Sequence, residues 1–96
     1  MPPDPIRIRR VRFTPATLGI APRGVVGFAS CSIPEFGRLD GLAVRQTGPE
    51  AFSVIFPARR DGAGKRHPYF RPNNLATRDA IERGVIEALR SRGIIR

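Results

Sequence analysis

RPNNLATRDAIERGVIEALR, residues 71–90, is where the chain changes its period. Ile81, Val85, Ala88 and Leu89 recur at intervals of three and four, the spacing of one helical stripe, with Ile86 at its margin. Asn74 stands where an N-cap belongs, with Pro72 shortly upstream, and Gly93 is the natural stop. Asp79 lies four residues before Arg83, the favourable order for a helical ion pair. Gly84 costs about 1 kcal/mol relative to alanine inside a helix, a cost offset if the helix must approach a sheet closely.

Upstream the pattern has the period of strands. IRIRRVRF (6–13) alternates Ile6 and Ile8 with Arg7 and Arg9, and TPATLGIAPRG (14–24) reads as a loop. GVVGFASCSI (24–33) is a second strand, closed by the turn Pro34-Glu35-Phe36-Gly37, and RLDGLAVRQ (38–46) is a third. After Thr47-Gly48-Pro49-Glu50, AFSVIF (51–56) is the most apolar run and is therefore placed at the centre of the sheet. RHPYFR (66–71) can pair only at an edge, because Pro68 has no amide hydrogen to donate. The expected fold is α+β: one domain with a small antiparallel β-sheet of about five strands and a C-terminal α-helix packed on it. Its core is expected to span about 6–93, with residues 1–5 expected to be a flexible lead-in.

Ninety-six residues bury a modest core, and a partner chain would help such a domain. The N-terminal MPPDPIRIRR lacks the apolar middle of a signal peptide, and no apolar run approaches a membrane span. One cysteine excludes an internal disulfide and a cysteine-based zinc site within one chain, and points to the cytoplasm. The net charge of +9 and the pI of about 11.7 point to a polyanion partner, nucleic acid being the commonest. The charge is clustered: +4 over residues 1–34, −1 over 35–57, +4 over 58–72 and +2 over 73–96.

The densest cluster is FPARRDGAGKRHPYFRP (56–72). Gly64-Lys65 has the ending of a phosphate-binding loop, but the position five before Gly64 is Arg59 and the residue after Lys65 is Arg66. The required glycine and the metal-binding hydroxyl are both missing, so DGAGK reads as a hairpin turn. Its basic flanks, Arg59, Arg60, Lys65, Arg66 and Arg71, together with Arg78, Arg83 and Arg90 on the helix, form the candidate phosphate-binding set. Arg38 and Arg45, in the near-neutral middle, read as ordinary surface residues. One of Tyr69 and Phe70 packs inward, and the other is free to stack a base. Phe52 and Phe56 read as core. Cys31 shares a strand face with Ala29 and Ile33 and reads as a buried small hydrophobe. His67 reads as a phosphate contact or a surface residue. Asp61 suits the turn, and Asp79 the first turn of the helix. With no paired carboxylates and no metal-ligand spacing, neither an enzyme nor a cofactor is expected.

Taken together, IRIRRV, FPARR and RPNNLATRDAIERGVIEALR resemble the stage V sporulation protein G family of small bacterial septation regulators. IRIRRV resembles that family's VRIRK-type first strand, and FPARR its MPS-K-K turn. Pro72, Asn74, Thr77, Arg78 and Ile81 match its HPIN-x-x-T-R-x-x-I helix start. The resemblance spans about residues 6–90. It implies a homodimer joined largely through strand edges, binding to DNA and RNA, and a role in septation or sporulation-type gene regulation. By position, Arg59 and Arg60 match the family's paired lysines and Arg78 its helix-start arginine. Lys65, Arg66, Arg71, Arg83 and Arg90 extend that set through charge placement alone.

Two functions are expected to compete. One is a non-enzymatic homodimeric nucleic-acid-binding regulator, whose affinity comes from arginine–phosphate contacts. The other is a protein-interaction module that adds an exposed strand edge to a partner's sheet and offers its charge to an acidic protein. A third, binding to an anionic membrane surface, is weakened by Asp79, Glu82 and Glu87 on the polar helix face. A small-molecule substrate is not expected.

Overall fold

The computed structural model describes residues 7–17 and 24–96. Its elements are β1 (Arg9–Pro15), β2 (Val25–Ile33), β3 (Gly37–Gln46), β4 (Phe52–Ile55), β5 (Ala58–Arg60), β6 (Arg66–Pro68) and α1 (Leu75–Ser91). The first four form an antiparallel sheet in the order β1-β2-β3-β4, and β5 and β6 form a separate two-stranded ribbon. The architecture is α+β, a sheet with one C-terminal helix. Of the expected elements, Ile6 and most of the 14–24 connection lie outside the described residues, while Thr14 and Pro15 extend β1.

Two expectations are corrected. The AFSVIF segment is not central: β4 pairs only with β3 and forms an edge of the sheet. Its apolar character has another cause, since Val54 and Phe56 are buried in the same cluster as Ile81, Val85, Ile86 and Leu89 of the helix. The outer side of β4 is closed by a side chain: Glu82 Oε2 accepts a hydrogen bond from the Val54 amide at 3.0 Å. The second correction concerns the fifth strand. The 66–71 segment shortens to β6, which the Asp61–Lys65 turn folds back on β5 apart from the main sheet, and the Tyr69 amide continues the contact by donating to the Pro57 carbonyl (2.9 Å).

The register shifts at three places in the main sheet: between Val25 and Gly27 of β2, and at two β-bulges. In β1 the register shifts between Arg9 and Arg12 around Arg10, which holds a positive φ of 52°. In β3 it shifts at Asp40-Gly41, with Gly41 at φ 75°. The second bulge puts Leu39, Leu42 and Val44 together in the core, although their spacing of three and then two breaks the strand period. They meet Ala29, Cys31 and Ile33 of β2 and the helix stripe.

The helix is stopped at both ends as its sequence requires. Asn74 Oδ1 accepts from the Thr77 amide (2.8 Å). At the other end Ile94 donates to the Leu89 carbonyl and Gly93 to that of Arg90, with Gly93 at φ 71°, which is a Schellman motif. Gly84 faces Ile8: a Cβ at that position would lie 2.7 Å from Ile8 Cγ1, so the close approach expected of this glycine is real. No helix among the described residues is long and apolar enough to cross a membrane.

Candidate nucleic-acid interface

The ribbon begins where β4 ends. Register pairs Arg60 with Arg66 and Arg59 with His67, so Arg60 and Arg66 share one face and Arg59 and His67 the other. The DGAGK segment is the expected hairpin turn: Gly64 donates to the Asp61 carbonyl (3.0 Å) and holds the left-handed conformation at φ 83°, and Asp61 donates to the Lys65 carbonyl (3.0 Å). The Asp61 carboxylate ties the turn together. Its Oδ1 accepts from the amides of Ala63 and Lys65, both at 2.9 Å, and its Oδ2 lies 2.7 Å from His67 Nε2. These bonds, that to His67 foremost and then that of the Lys65 amide, hold the Asp61 carboxyl below its ordinary value.

That arrangement decides the electrostatics of the ribbon. Asp61 is the one carboxylate between Ala51 and Arg78, and it is occupied by the turn and by His67. The cations are left to backbone carbonyls or to solvent. Arg60 Nη1 donates to the Gly64 carbonyl (3.0 Å), and Arg66 Nη2 to that of Phe56 (3.0 Å). Arg59, Lys65 and Arg71 are exposed, with no side-chain hydrogen bond or ion pair among the described residues. Like charges set directly opposite, as Arg60 and Arg66 are, repel. An approaching anion relieves that repulsion.

The seven arginines and one lysine of the candidate set do not form one patch. Arg66, Arg71 and Arg78 line a groove of about 480 Å³ between β4, the ribbon and the start of the helix. Ser53, Ile55, Phe56 and Phe70 contribute to its walls. Arg59, Arg60 and Lys65 sit on the ribbon beside it. Arg83 and Arg90 are elsewhere, in a groove shared with Glu50, Asp79 and Glu82. Arg90 also serves the fold, donating to the carbonyls of Arg96 (2.8 Å) and Glu50 (2.6 Å) and so tying the helix end to the β3–β4 turn. Arg78 is not a free surface cation either. It is half-buried, lies over the Phe56 ring at 5.9 Å, and meets Asp79 (3.4 Å) and Glu82 (3.6 Å).

The choice between the two aromatics is resolved. Phe70 packs on Phe56 with ring centroids 5.7 Å apart, whereas Tyr69 is 68% exposed beside the ribbon. Cys31 is fully buried in the sheet, and burial pushes its thiol above the ordinary value, so it has none of the features of a reactive cysteine. His67 stands apart from it, on the ribbon with Asp61. The Asp61–His67 pair escaped sequence reading; its signal is that both residues flank one hairpin, where the turn brings positions six apart face to face. Among the described residues no group of three or more His, Cys, Asp or Glu side chains is placed to hold a metal. No protein-family model matches the chain, and no curated protein matches it.

Proposed function

We propose that the protein is a non-enzymatic nucleic-acid-binding regulator of the cytoplasm, acting as a homodimer, as its resemblance to the septation regulators implies. The observation that carries this reading is the uncompensated ribbon. Arg59, Arg60, Lys65, Arg66 and Arg71 face solvent or carbonyls, while the one nearby carboxylate is engaged inside the turn. A guanidinium bound to a carbonyl keeps donors free for phosphate oxygens, and arginine suits that geometry. Tyr69, exposed next to Arg71, offers a ring on which a base can stack. In a homodimer the ribbon would be present twice, lengthening the track for a polyanion.

The rival strand-edge reading has less to support it. One edge of the sheet has its Val54 amide taken by Glu82, and on the other Arg92 donates to the Val11 carbonyl. Both edges are thus partly closed by this chain's own side chains.

The test is an anisotropy titration of labelled duplex DNA over a salt series, with the wild type and an Arg59→Ala/Arg60→Ala variant. Binding by phosphate contacts falls with salt at a log–log slope of about −0.9 per contact, so the double variant is expected to bind more weakly with a slope shallower by about 2. Absence of binding at low salt, or an unaltered slope in the variant, would remove the ribbon from this role.

A further inference from the structure

The helix packs on one face of the four-stranded sheet, and among the described residues no element covers the other. Register defines what that open face presents. Thr14, Phe28, Ala43 and Ile55 form one row across all four strands, with Phe28 41% and Ile55 36% exposed. On one side of this row lie Arg12, opposite Ser30, and then the row Arg9–Ser32–Arg38. On the other side lies Arg45, between Val25 and Ser53. An accessible aromatic ring is therefore flanked by exposed arginines on both sides.

Arg38 is held flat on this surface: its guanidinium donates to the hydroxyls of Ser30 and Ser32 and lies 3.8 Å from Asp40. Asp40 is the one carboxylate in the four strands. The face is also continuous with the basic groove, because Ser53 and Ile55 belong to the β4 edge and line the groove with Arg66, Arg71 and Arg78.

We propose that the open sheet face is a binding surface for single-stranded nucleic acid, with a base stacked on Phe28 and flanking phosphates held by Arg12, Arg38 and Arg45. Three observations favour this occupant. The charge of the face is complementary to a polyanion. An exposed ring between cations suits an unpaired base, which has a free π-face, whereas a duplex keeps its bases stacked inside. A second copy of the chain fits poorly, since a two-fold contact would set this basic face against the same basic face. The inference rests on the nucleic-acid reading above and adds to it the strandedness of the ligand and a second surface.

The experiment uses the full chain and three labelled probes: a single-stranded DNA and a single-stranded RNA of about 16 nucleotides, and a matched DNA duplex. Phe28→Ala is expected to weaken single-strand binding by about five-fold to a hundred-fold, the range of one lost stacked base, with Phe28→Tyr restoring it. Duplex binding is expected to follow the ribbon arginines instead. If Phe28→Ala binds both single strands as the wild type does, the open face is not the site, while the ribbon reading stands. If the wild type binds none of the probes, both fail together. If Phe28→Ala leaves binding intact but converts a dimer to a monomer by light scattering, the face joins two copies and the proposal is overturned.

Discussion

Asp61 shows how one side chain can fix a local structure and an electrostatic surface at once. By accepting two amides and pairing with His67 it builds the hairpin turn, and it forms no direct ion pair with the arginines around it. Its lowered pKa has a definite consequence. The folded value lies below 3.8, so the stabilisation it reports is present above that pH and is lost as pH falls through the lower, folded value. The amide resonances of Ala63 and Lys65 are accordingly expected to keep their hydrogen-bonded shifts down to a pH below 3.8, and to lack them at every pH in Asp61→Ala. Titration of these amides above 3.8 in the wild type would mean that the network is not formed. Glu35 is the opposite case, a residue at odds with its place. The turn closed by the Phe36 amide on the Ile33 carbonyl has Pro34 and then Glu35 at φ 72°, where a type II turn favours glycine. Glu35→Gly is expected to raise the midpoint of urea unfolding, by up to about 1 kcal/mol in stability.

The helix and the sheet constrain each other through single contacts. Gly84 is poor for the helix but leaves room for Ile8, and its substitution tests which effect prevails. Alanine would gain about 1 kcal/mol in propensity, yet its Cβ would meet Ile8 Cγ1 at 2.7 Å. Gly84→Ala is expected to destabilise the wild type and to stabilise an Ile8→Ala background, a non-additivity readable in a double-mutant cycle of urea unfolding. Additive effects would show that Ile8 simply moves aside. The helix period and its caps were legible in the sequence because they depend on residues within a few positions of one another. The place of β4 was not, because an apolar strand reads the same whether a strand or a helix covers it. Nor were the bulges at Arg10 and Asp40-Gly41, whose inserted residues have meaning only against the partner strand.

Across the whole molecule the dominant fact is charge. With 17 basic and 8 acidic residues, the folded chain repels itself, most directly where Arg60 faces Arg66. Raising sodium chloride from about 20 to 200 mM shortens the Debye length to below about 10 Å. The melting temperature is therefore expected to rise over that range, and to rise less in Arg60→Ala. A fall with salt would show that attractive pairs such as Arg78–Glu82 outweigh the repulsion. The candidate site was partly legible at this scale. Arg59, Arg60 and Lys65 belong to the ribbon as read, but Arg83 and Arg90 share their groove with carboxylates from a distant turn and from the helix itself.

By itself, the sequence determined the local things: the helix and its caps, the segments of the first four strands, the hairpin at DGAGK, the burial of Cys31, and a net charge of +9. Each follows from spacing, turn chemistry or composition, which act over a few residues or over the whole chain without regard to its path. Only the tertiary structure decided which cations stand together. Arg66, Arg71 and Arg78 meet because the ribbon folds back beside the edge of β4. Arg38 and Arg45, which read as ordinary surface residues in the linear chain, flank Phe28 together with Arg12 because pairing register sets them on one face. Strand order and register arise from long-range hydrogen bonding and burial, and short-range sequence patterns do not encode those relations.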